Sequence, residues 1–338
     1  MAERVAPAEL SPEDRALLTL VQAALPLTPR PFLALGERLG TTEEQVIARL
    51  TALRARGLIR KLGPVFEPAA LGLATELAAV ETEPERADAL GAAIAAWPEV
   101  THCYAREHRV NLWYAGVAAN TAWFAEAATR IAALEGVRGV WRLPTLRRFK
   151  IAVQFDLGPV PDAAPLAPEI EGEAGAVTAE LLRLVQADLP LCPEPFAALA
   201  ATSDLTAERL LGLLRGWVRE GVIRRYGALV SHRRLGFTAN AMVVMAVPES
   251  RIEAAGSIVS ASPAVSHCYQ RPPFPEFPYS LYAMVHGQSR EACLAVTQEL
   301  MQAAGVTEWK ALFSTHEYGK SSPDYAALVA AHEVNRVG

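Results

Sequence analysis

The chain repeats itself, and a repeat at domain scale decides the architecture before any local reading begins. LLTLVQAALPLTPRPFLALGERLG, from Leu17, matches LLRLVQADLPLCPEPFAALAATSD, from Leu181, at a constant offset of 164 positions. RARGLIRKLGPVF from Arg54 matches VREGVIRRYGALV from Val218 at the same offset. After a one-residue insertion, WPEVTHCYAR (Trp97 to Arg106) pairs with SPAVSHCYQR (Ser262 to Arg271). NLWYAGV at Asn111 pairs with SLYAMVHG at Ser280, the second copy having inserted PPFPEFP, and LPTLRRFK from Leu143 pairs with LFSTHEYGK from Leu312. The 338 residues therefore hold two copies of one unit, each long enough for its own core. Between them LGPVPDAAPLAPEIEGEAGA, rich in Pro, Ala and Glu without periodicity, reads as a linker.

Each copy opens with a helical third. Leu17, Leu18, Val21, Ala24 and Leu25 recur at helical spacing until PLTPRPF breaks the pattern. A second short helix ends near Gly40. Thr41 or Thr42 caps a third, with Glu43 and Glu44 in its first turn and Val46, Ile47, Leu50 and Leu53 on one face. Gly57 stops that helix, and LIRKLGPVF reads as a wing strand, completing a winged helix-turn-helix. The remainder alternates. TELAAVE from Thr75 reads as a strand, PERADALGAAIAAW as a helix, VTHCYAR and VNLWYAGV as a hairpin, TAWFAEAATRIAAL as a helix, and VRGVWRLPTLRRFKI as one final strand. The order βαββαβ predicts a ferredoxin-like sandwich with helices on one sheet face. The fold class is thus α+β, two tandem copies of a winged helix-turn-helix plus a ferredoxin-like domain in a pseudo-two-fold arrangement. The expected boundaries are 1–63 and 64–156 for the first copy, 157–176 for the linker, and 177–227 and 228–338 for the second.

Composition narrows the function. A formal net charge of -5 disfavours a protein that lives on nucleic-acid backbone. Four cysteines without a CxxC pair suggest neither a zinc site nor a disulfide framework. The N-terminus lacks a signal-peptide core, and no apolar run reaches membrane-spanning length, so a cytoplasmic location and no membrane partner are expected.

Side chains two apart share a strand face. In VTHCYAR, Thr101, Cys103 and Ala105 suit packing under helices, whereas His102, Tyr104 and Arg106 form the other face. His267, Tyr269 and Arg271 repeat that face in the second copy. With helices on only one side, the polar faces need a cover, and the second copy supplies it; polar residues are expected to line the space between two facing sheets. His108 follows in the hairpin turn, Asn111 begins the next strand, and Arg147, Arg148 and Lys150 lie on the last strand of the first copy. His286, His316 and Lys320 lie at or near the corresponding places in the second. Arginine pairs bidentately with carboxylates, and histidine donates protons or ligates metal near neutral pH. The set suits a polyanionic, iron-bearing ligand; hydrogen-bonding groups of an interface without chemistry are the bland alternative.

A helix-turn-helix followed by βαββαβ resembles the Lrp/AsnC regulators. LPLTPRPF (Leu25 to Phe32), VTHCYAREHRVNLWY (Val100 to Tyr114), VSHCYQR (Val265 to Arg271) and RRFK (Arg147 to Lys150) more specifically resemble the siroheme decarboxylases, Lrp-like enzymes of haem and haem d1 biosynthesis, in their fused two-copy form. The resemblance implies loss of two acetate carboxyl groups from siroheme, giving 12,18-didecarboxysiroheme, with no redox or organic cofactor and with iron entering only as part of the substrate. On that reading His102, Tyr104, His108, His267 and Tyr269 are candidate catalytic groups, the histidines as general acids and the tyrosines as positioning or relay groups. Candidate substrate-binding residues are Arg106, Asn111, Trp113, Arg147, Arg148, Lys150, Arg271, Tyr282, His286, His316 and Lys320. His102 or His267 is alternatively a ligand of the substrate iron. A homodimer and related pathway subunits are further partners the resemblance allows. The second copy departs from the first, with Ser280 for Asn111, His316 for Arg147 and Glu317 for Arg148.

Two other readings use the same residues. A regulator needs Arg, Lys, Asn or Gln reaching the groove from its recognition helix. TTEEQVIARLTAL instead offers Glu43 and Glu44 with Arg49 as its one cation, and LTAERLLGLLRGW is similarly apolar, so DNA binding is not expected. Arg54, Arg56, Arg60, Lys61, Arg224 and Arg225 by the wings read as solvated cations. A tetrapyrrole carrier without catalysis would use the same pocket.

Overall fold

The computed structural model describes residues 9–152, 155, 157 and 175–337; most of the 157–176 linker expected from sequence lies outside them. The chain forms two compact units, and each is built from both copies.

One unit collects the helix-turn-helix segments. In the first copy Ser11 caps α1 (Pro12–Ala23) by accepting from the Asp14 amide, and Pro12 starts the helix where no amide donor is needed. α2 (Pro31–Leu39) ends at Gly40, whose φ of 65° is the left-handed stop glycine takes without strain. Thr42 caps α3 (Glu43–Ala55), which buries Val46, Leu50 and Leu53. β1 (Ile59–Phe66) follows. The other unit opens with β2 (Ala74–Thr82), α4 (Pro84–Ala95), β3 (Val100–Arg106), β4 (Leu112–Ala118), α5 (Ala122–Ala132), β5 (Val137–Pro144) and β6 (Arg147–Ile151). The second copy returns with α6 (Ala179–Val185), α7 (Pro195–Ala200), α8 (Ala207–Arg219) and β7 (Ile223–Val230), then β8 (Ala239–Met245), α9 (Ile252–Ala261), β9 (Val265–Gln270), β10 (Leu281–Gly287), α10 (Arg290–Ala304), β11 (Trp309–Lys320) and α11 (Tyr325–Val337).

Three expectations are corrected here. Each wing was expected to complete its own copy, but β1 pairs antiparallel with β7, so the two helix-turn-helix segments share one two-stranded sheet. The boundaries at 63/64 and 227/228 therefore fall inside strands, and Tyr325–Val337 belongs with the helix-turn-helix unit rather than with the second α/β domain. Third, VRGVWRLPTLRRFKI is two strands: β5 pairs with β2 of its own copy, whereas β6 pairs with β9 of the other. β11 makes the matching exchange within a single strand, pairing through Trp309–Phe313 with β8 and through Ser314–Lys320 with β3.

The result is one nine-stranded ladder, β5-β2-β4-β3-β11-β8-β10-β9-β6, whose halves are stitched together by exchanged strands. Outward faces pack under helices in two cores. One gathers Ala78, Val80, Ile94, Cys103, Leu112 and Ile131; the other gathers Val243, Val259, Val265, Cys268, Leu281 and Cys293. A third core draws on both copies, with Ala79, Trp113 and Leu143 from the first against Met242, Val244, Tyr282 and Leu312 from the second. The inner faces of the two half-sheets therefore meet, as the pseudo-two-fold reading expected. Their meeting zone differs from that expectation in being apolar at its centre, and polar groups flank it. The inserted PPFPEFP contributes to this apolar centre. Phe274 stacks on Trp141 with ring centroids 4.6 Å apart, and the fully buried Phe277 lies against Trp113 and Tyr282. Among the described residues no helix is long and apolar enough to cross a membrane.

Candidate functional site

β3 and β9 carry the same local device. In β3 the ladder pairs Val100 with Gly116 and His102 with Ala115, leaving Thr101 as a bulge; in β9 Val265 pairs with Val285 and His267 with Met284, leaving Ser266. A bulge re-aims the side chains beside it. Here it sets the Thr101 hydroxyl 2.9 Å from Nδ1 of His102 and the Ser266 hydroxyl 2.9 Å from Nδ1 of His267. Beyond each bulge the strand alternates normally. Cys103 and Cys268 turn outward beneath helices, where burial pushes both thiols up to about 12. His102, Tyr104 and Arg106, like His267, Tyr269 and Arg271, turn inward.

The inward triplets are near copies of each other. His102 stacks on Tyr104 with centroids 6.3 Å apart, and Arg106 lies 5.5 Å from the centre of the Tyr104 ring. His267 and Tyr269 are 6.1 Å apart, with Arg271 at 5.0 Å. Each arginine crosses to the other copy's exchanged strand, Arg106 Nη1 donating to the Leu312 carbonyl at 2.8 Å and Arg271 Nη1 to the Leu143 carbonyl. Both are buried, at 6% and 8% exposure, and among the described residues neither forms an ion pair with a carboxylate. Among the described residues Nε of each has no hydrogen-bond partner. Burial pulls the Arg106 guanidinium down to about 10 and lowers Arg271 too. A buried cation without an anion is costly unless a ligand supplies one.

The exchanged strands bring further groups. Glu317 sits opposite Tyr104 and Lys320 opposite His102, whereas Arg148 sits opposite Tyr269 and Ile151 opposite His267. His286 Nε2 lies 2.8 Å from the Ser266 hydroxyl. Its pKa falls to about 4 through burial first, then the charges of Lys320 and Arg106. A polar run thus joins the copies: His102 faces Lys320 across the ladder, Lys320 and Arg106 act on His286, and Ser266 links His286 to His267.

The other residues singled out from sequence lie elsewhere. Arg147 pairs with Glu253 of α9, and Lys150 Nζ donates to the Ser262 carbonyl at the end of that helix. His316 stacks on Tyr318, whose hydroxyl donates to Asp88 of α4. All three lie on strands that neighbour the histidine strands, but on the helix-facing side, opposite the face of the inward histidines. Asn111 clasps β2 by accepting from the Thr82 amide and donating to its carbonyl. His108 accepts from the Val110 amide and meets the edge of Phe277. Trp113 and Tyr282 belong to the shared apolar core, their rings 6.4 Å apart, and burial raises the Tyr282 hydroxyl. Sequence reasoning missed Thr101, Ser266 and the hydrogen-bonded pair Ser314 and Asn240, 2.7 Å apart. The signal for the first two was present in TH and SH at matching places. In the helix-turn-helix unit Arg49 is paired with Asp14 and Arg54 with Asp188. Among the described residues no three His, Cys, Asp or Glu gather as a metal site.

A helix-turn-helix followed by this α/β domain, each present twice, defines a fused protein of the AsnC-like class. The model described as an AsnC-like ligand binding domain matches residues 70–150 and 234–319, and that described as a siroheme decarboxylase NirDL-like HTH domain matches 14–60 and 179–224. The siroheme decarboxylase NirDL subunit of Paracoccus denitrificans is 36% identical over 94% of this chain and 98% of its own length. A crystal structure of the siroheme decarboxylase NirDL superposes with a TM-score of 0.68 at 27% identity, covering 96% of this chain and 100% of that one. Another, of NirDL in co-complex with an iron-uroporphyrin III analogue, gives 0.67 at the same identity and coverage. The chain belongs to the NirDL family of siroheme decarboxylases.

Proposed function

We propose that this chain decarboxylates siroheme, removing two acetate carboxyl groups to give 12,18-didecarboxysiroheme for haem d1 biosynthesis. The observation that carries the reading is the pair of buried guanidiniums, Arg106 and Arg271, held beside the inward histidines without a carboxylate ion pair among the described residues. A substrate with eight carboxylates supplies the missing anions, and Arg148 and Lys320, opposite Tyr269 and His102 on the exchanged strands, are further candidate cations for it. Loss of carbon dioxide from an acetate arm leaves an electron pair that the conjugated macrocycle delocalises, and a proton must reach the new methyl carbon. We assign that delivery, or contact with the iron, to His102 and His267, on which Tyr104 and Tyr269 stack. The chemistry needs no redox or organic cofactor, and iron enters with the substrate.

The test is anaerobic incubation of the purified protein with siroheme, reading tetrapyrrole mass and absorbance. Loss of two carboxyl groups, slowed by His102→Ala or His267→Ala, is the expected result. An unchanged mass with shifted absorbance would make the protein a carrier, and no response at all would remove the tetrapyrrole reading.

A further inference from the structure

Where β3 ends at Arg106 and the hairpin turns, two hydrogen-bond donors face each other. The Val110 amide donates to Nδ1 of His108 at 3.2 Å, so that nitrogen keeps its lone pair and the ring carries its hydrogen on Nε2. The imidazolium, which donates from both nitrogens, is disfavoured there; burial first, then the charges of Lys310 and Arg109, lowers the pKa of the ring. Nε2 in turn lies 3.5 Å from Nζ of Lys310, an ammonium with three hydrogens and no lone pair. Neither group can accept from the other. The ring is held in place by Phe277, fully buried, which it meets edge-on at 5.5 Å.

The acids around the turn are taken by other cations. Glu107 pairs with Arg290 through two hydrogen bonds, and Arg109 pairs with both Glu81 and Glu276. Among the described residues neither His108 nor Lys310 forms an ion pair with a carboxylate. An anionic oxygen about 2.8 Å from each nitrogen would sit over the 3.5 Å gap and satisfy both donors. The second copy is built differently at the matching place. Arg271 leads into PPFPEFP rather than into a histidine turn, and two residues before Leu143 stands Trp141, where Lys310 stands two before Leu312. Phe274 of the insertion stacks on that Trp141 at 4.6 Å. The Arg106 end of the meeting zone is thus cationic and the Arg271 end aromatic.

We infer that His108 and Lys310 form a binding site for a tetrapyrrole carboxylate that the reaction leaves in place, and that this site sets the direction in which the macrocycle lies. The inference rests on the siroheme decarboxylase reading. Arg106 donates to the Leu312 carbonyl, His108 follows Arg106 by two residues, and Lys310 precedes Leu312 by two on the same face of β11. A macrocycle with one arm on Arg106 therefore offers a neighbouring arm to the pair. His102 lies four residues back from Arg106, roughly 13 Å along an extended strand. The carboxylate held by His108 and Lys310 is thus remote from His102, and both are positioning residues. A macrocycle turned end for end would lay that carboxylate against the stacked rings of Trp141 and Phe274.

The experiment compares Lys310→Met, Lys310→Arg and His108→Phe with wild type by anaerobic absorbance titration. The ligands are siroheme and the doubly decarboxylated product that wild type makes from it. Lys310 is exposed, so its variants should melt with wild type. A hydrogen bond to a charged group is worth roughly a factor of ten in affinity. Lys310→Met and His108→Phe should each bind siroheme about 10-fold more weakly, and Lys310→Arg within about threefold of wild type. Because the carboxylate is retained, product binding should weaken by the same factor, while turnover of Lys310→Met at saturating siroheme stays within about threefold. Unchanged siroheme affinity in Lys310→Met overturns the site, and so does a loss confined to siroheme with product binding intact. If wild type binds siroheme but leaves it unchanged, the decarboxylase reading fails, and the siroheme titration alone decides the pair.

Discussion

Replacing Arg106 with methionine separates the arginine's cost to the fold from its value to the ligand. The side chain is 6% exposed, and burial has brought its pKa from 12.5 to about 10, which corresponds to roughly 3 kcal/mol against keeping it charged inside the fold. Against that stand a hydrogen bond to the Leu312 carbonyl at 2.8 Å, worth about 1.5–3 kcal/mol for a charged donor, and weaker contacts with the Met284 sulfur and the Tyr104 ring. Methionine has similar length and fits an apolar neighbourhood that already includes Met284, whose sulfur lies 3.9 Å from the guanidinium. The two effects nearly cancel, so the melting temperature of Arg106→Met should stay within about 3 °C of wild type or rise. Ligand binding should not be spared. A substrate carboxylate left buried without its partner costs about 2–5 kcal/mol, a weakening of at least about 30-fold. Calorimetric melting and anaerobic absorbance titration with siroheme read the two quantities on the same sample. A variant that melts about 10 °C lower yet binds siroheme normally would make Arg106 a structural tie and refute the reasoning.

His286 should make stability depend on pH. Its folded pKa of about 4 lies below the ordinary 6.5, so the unfolded chain binds the proton more tightly. Its contribution is complete above pH 6.5 and is lost as pH falls toward 4, up to about 3 kcal/mol; denaturation curves across that window should show wild type losing that much relative to His286→Val, and parallel curves would contradict the burial of His286. The buried thiols Cys103 and Cys268, pushed up to about 12, should resist alkylation at pH 8 while the partly exposed Cys192 reacts, as peptide mass mapping would show; labelling of Cys103 in the native protein would contradict their burial. Phe277→Ala should destabilise by about 3–5 kcal/mol because the ring is fully buried among Trp113, Tyr279 and Tyr282. A urea midpoint unchanged from wild type would show that the insertion is dispensable. Gly256→Ala places a methyl group against the Phe149 ring of β6 and should loosen the exchanged strand, costing about 1–3 kcal/mol in the same assay.

Much of the architecture was legible because periodicity and repetition are local properties. The cap at Thr42, the stop at Gly40 and the alternation in VTHCYAR each act within a few residues, and β3 turns His102, Tyr104 and Arg106 to one side as alternation requires. What alternation does not encode is which sheet a strand joins. RRFKI has the same pattern whether it extends β5 or crosses to β9, and the choice is made by distant partners such as Gly256, which admits Phe149, just as Gly91 admits Tyr318. That choice also fixed the phase of the basic residues, sending Arg147 to Glu253 and Lys150 to the Ser262 carbonyl while Arg148 faces Tyr269. The wing pairing of β1 with β7 was hidden for the same reason. The apolar centre between the half-sheets was hidden differently, since Phe274 and Phe277 come from an insertion that only one copy carries.

On the proposed function, siroheme is held by the cations and imidazoles that flank the apolar centre between the two inner faces and that the strand exchange brings together. A crystal structure of this chain grown anaerobically with siroheme tests it most directly. Substrate carboxylates are expected within about 3 Å of Arg106 and Arg271, with an iron that faces an inward histidine. A macrocycle bound elsewhere, with both guanidiniums still donating only to the Leu312 and Leu143 carbonyls, would contradict it.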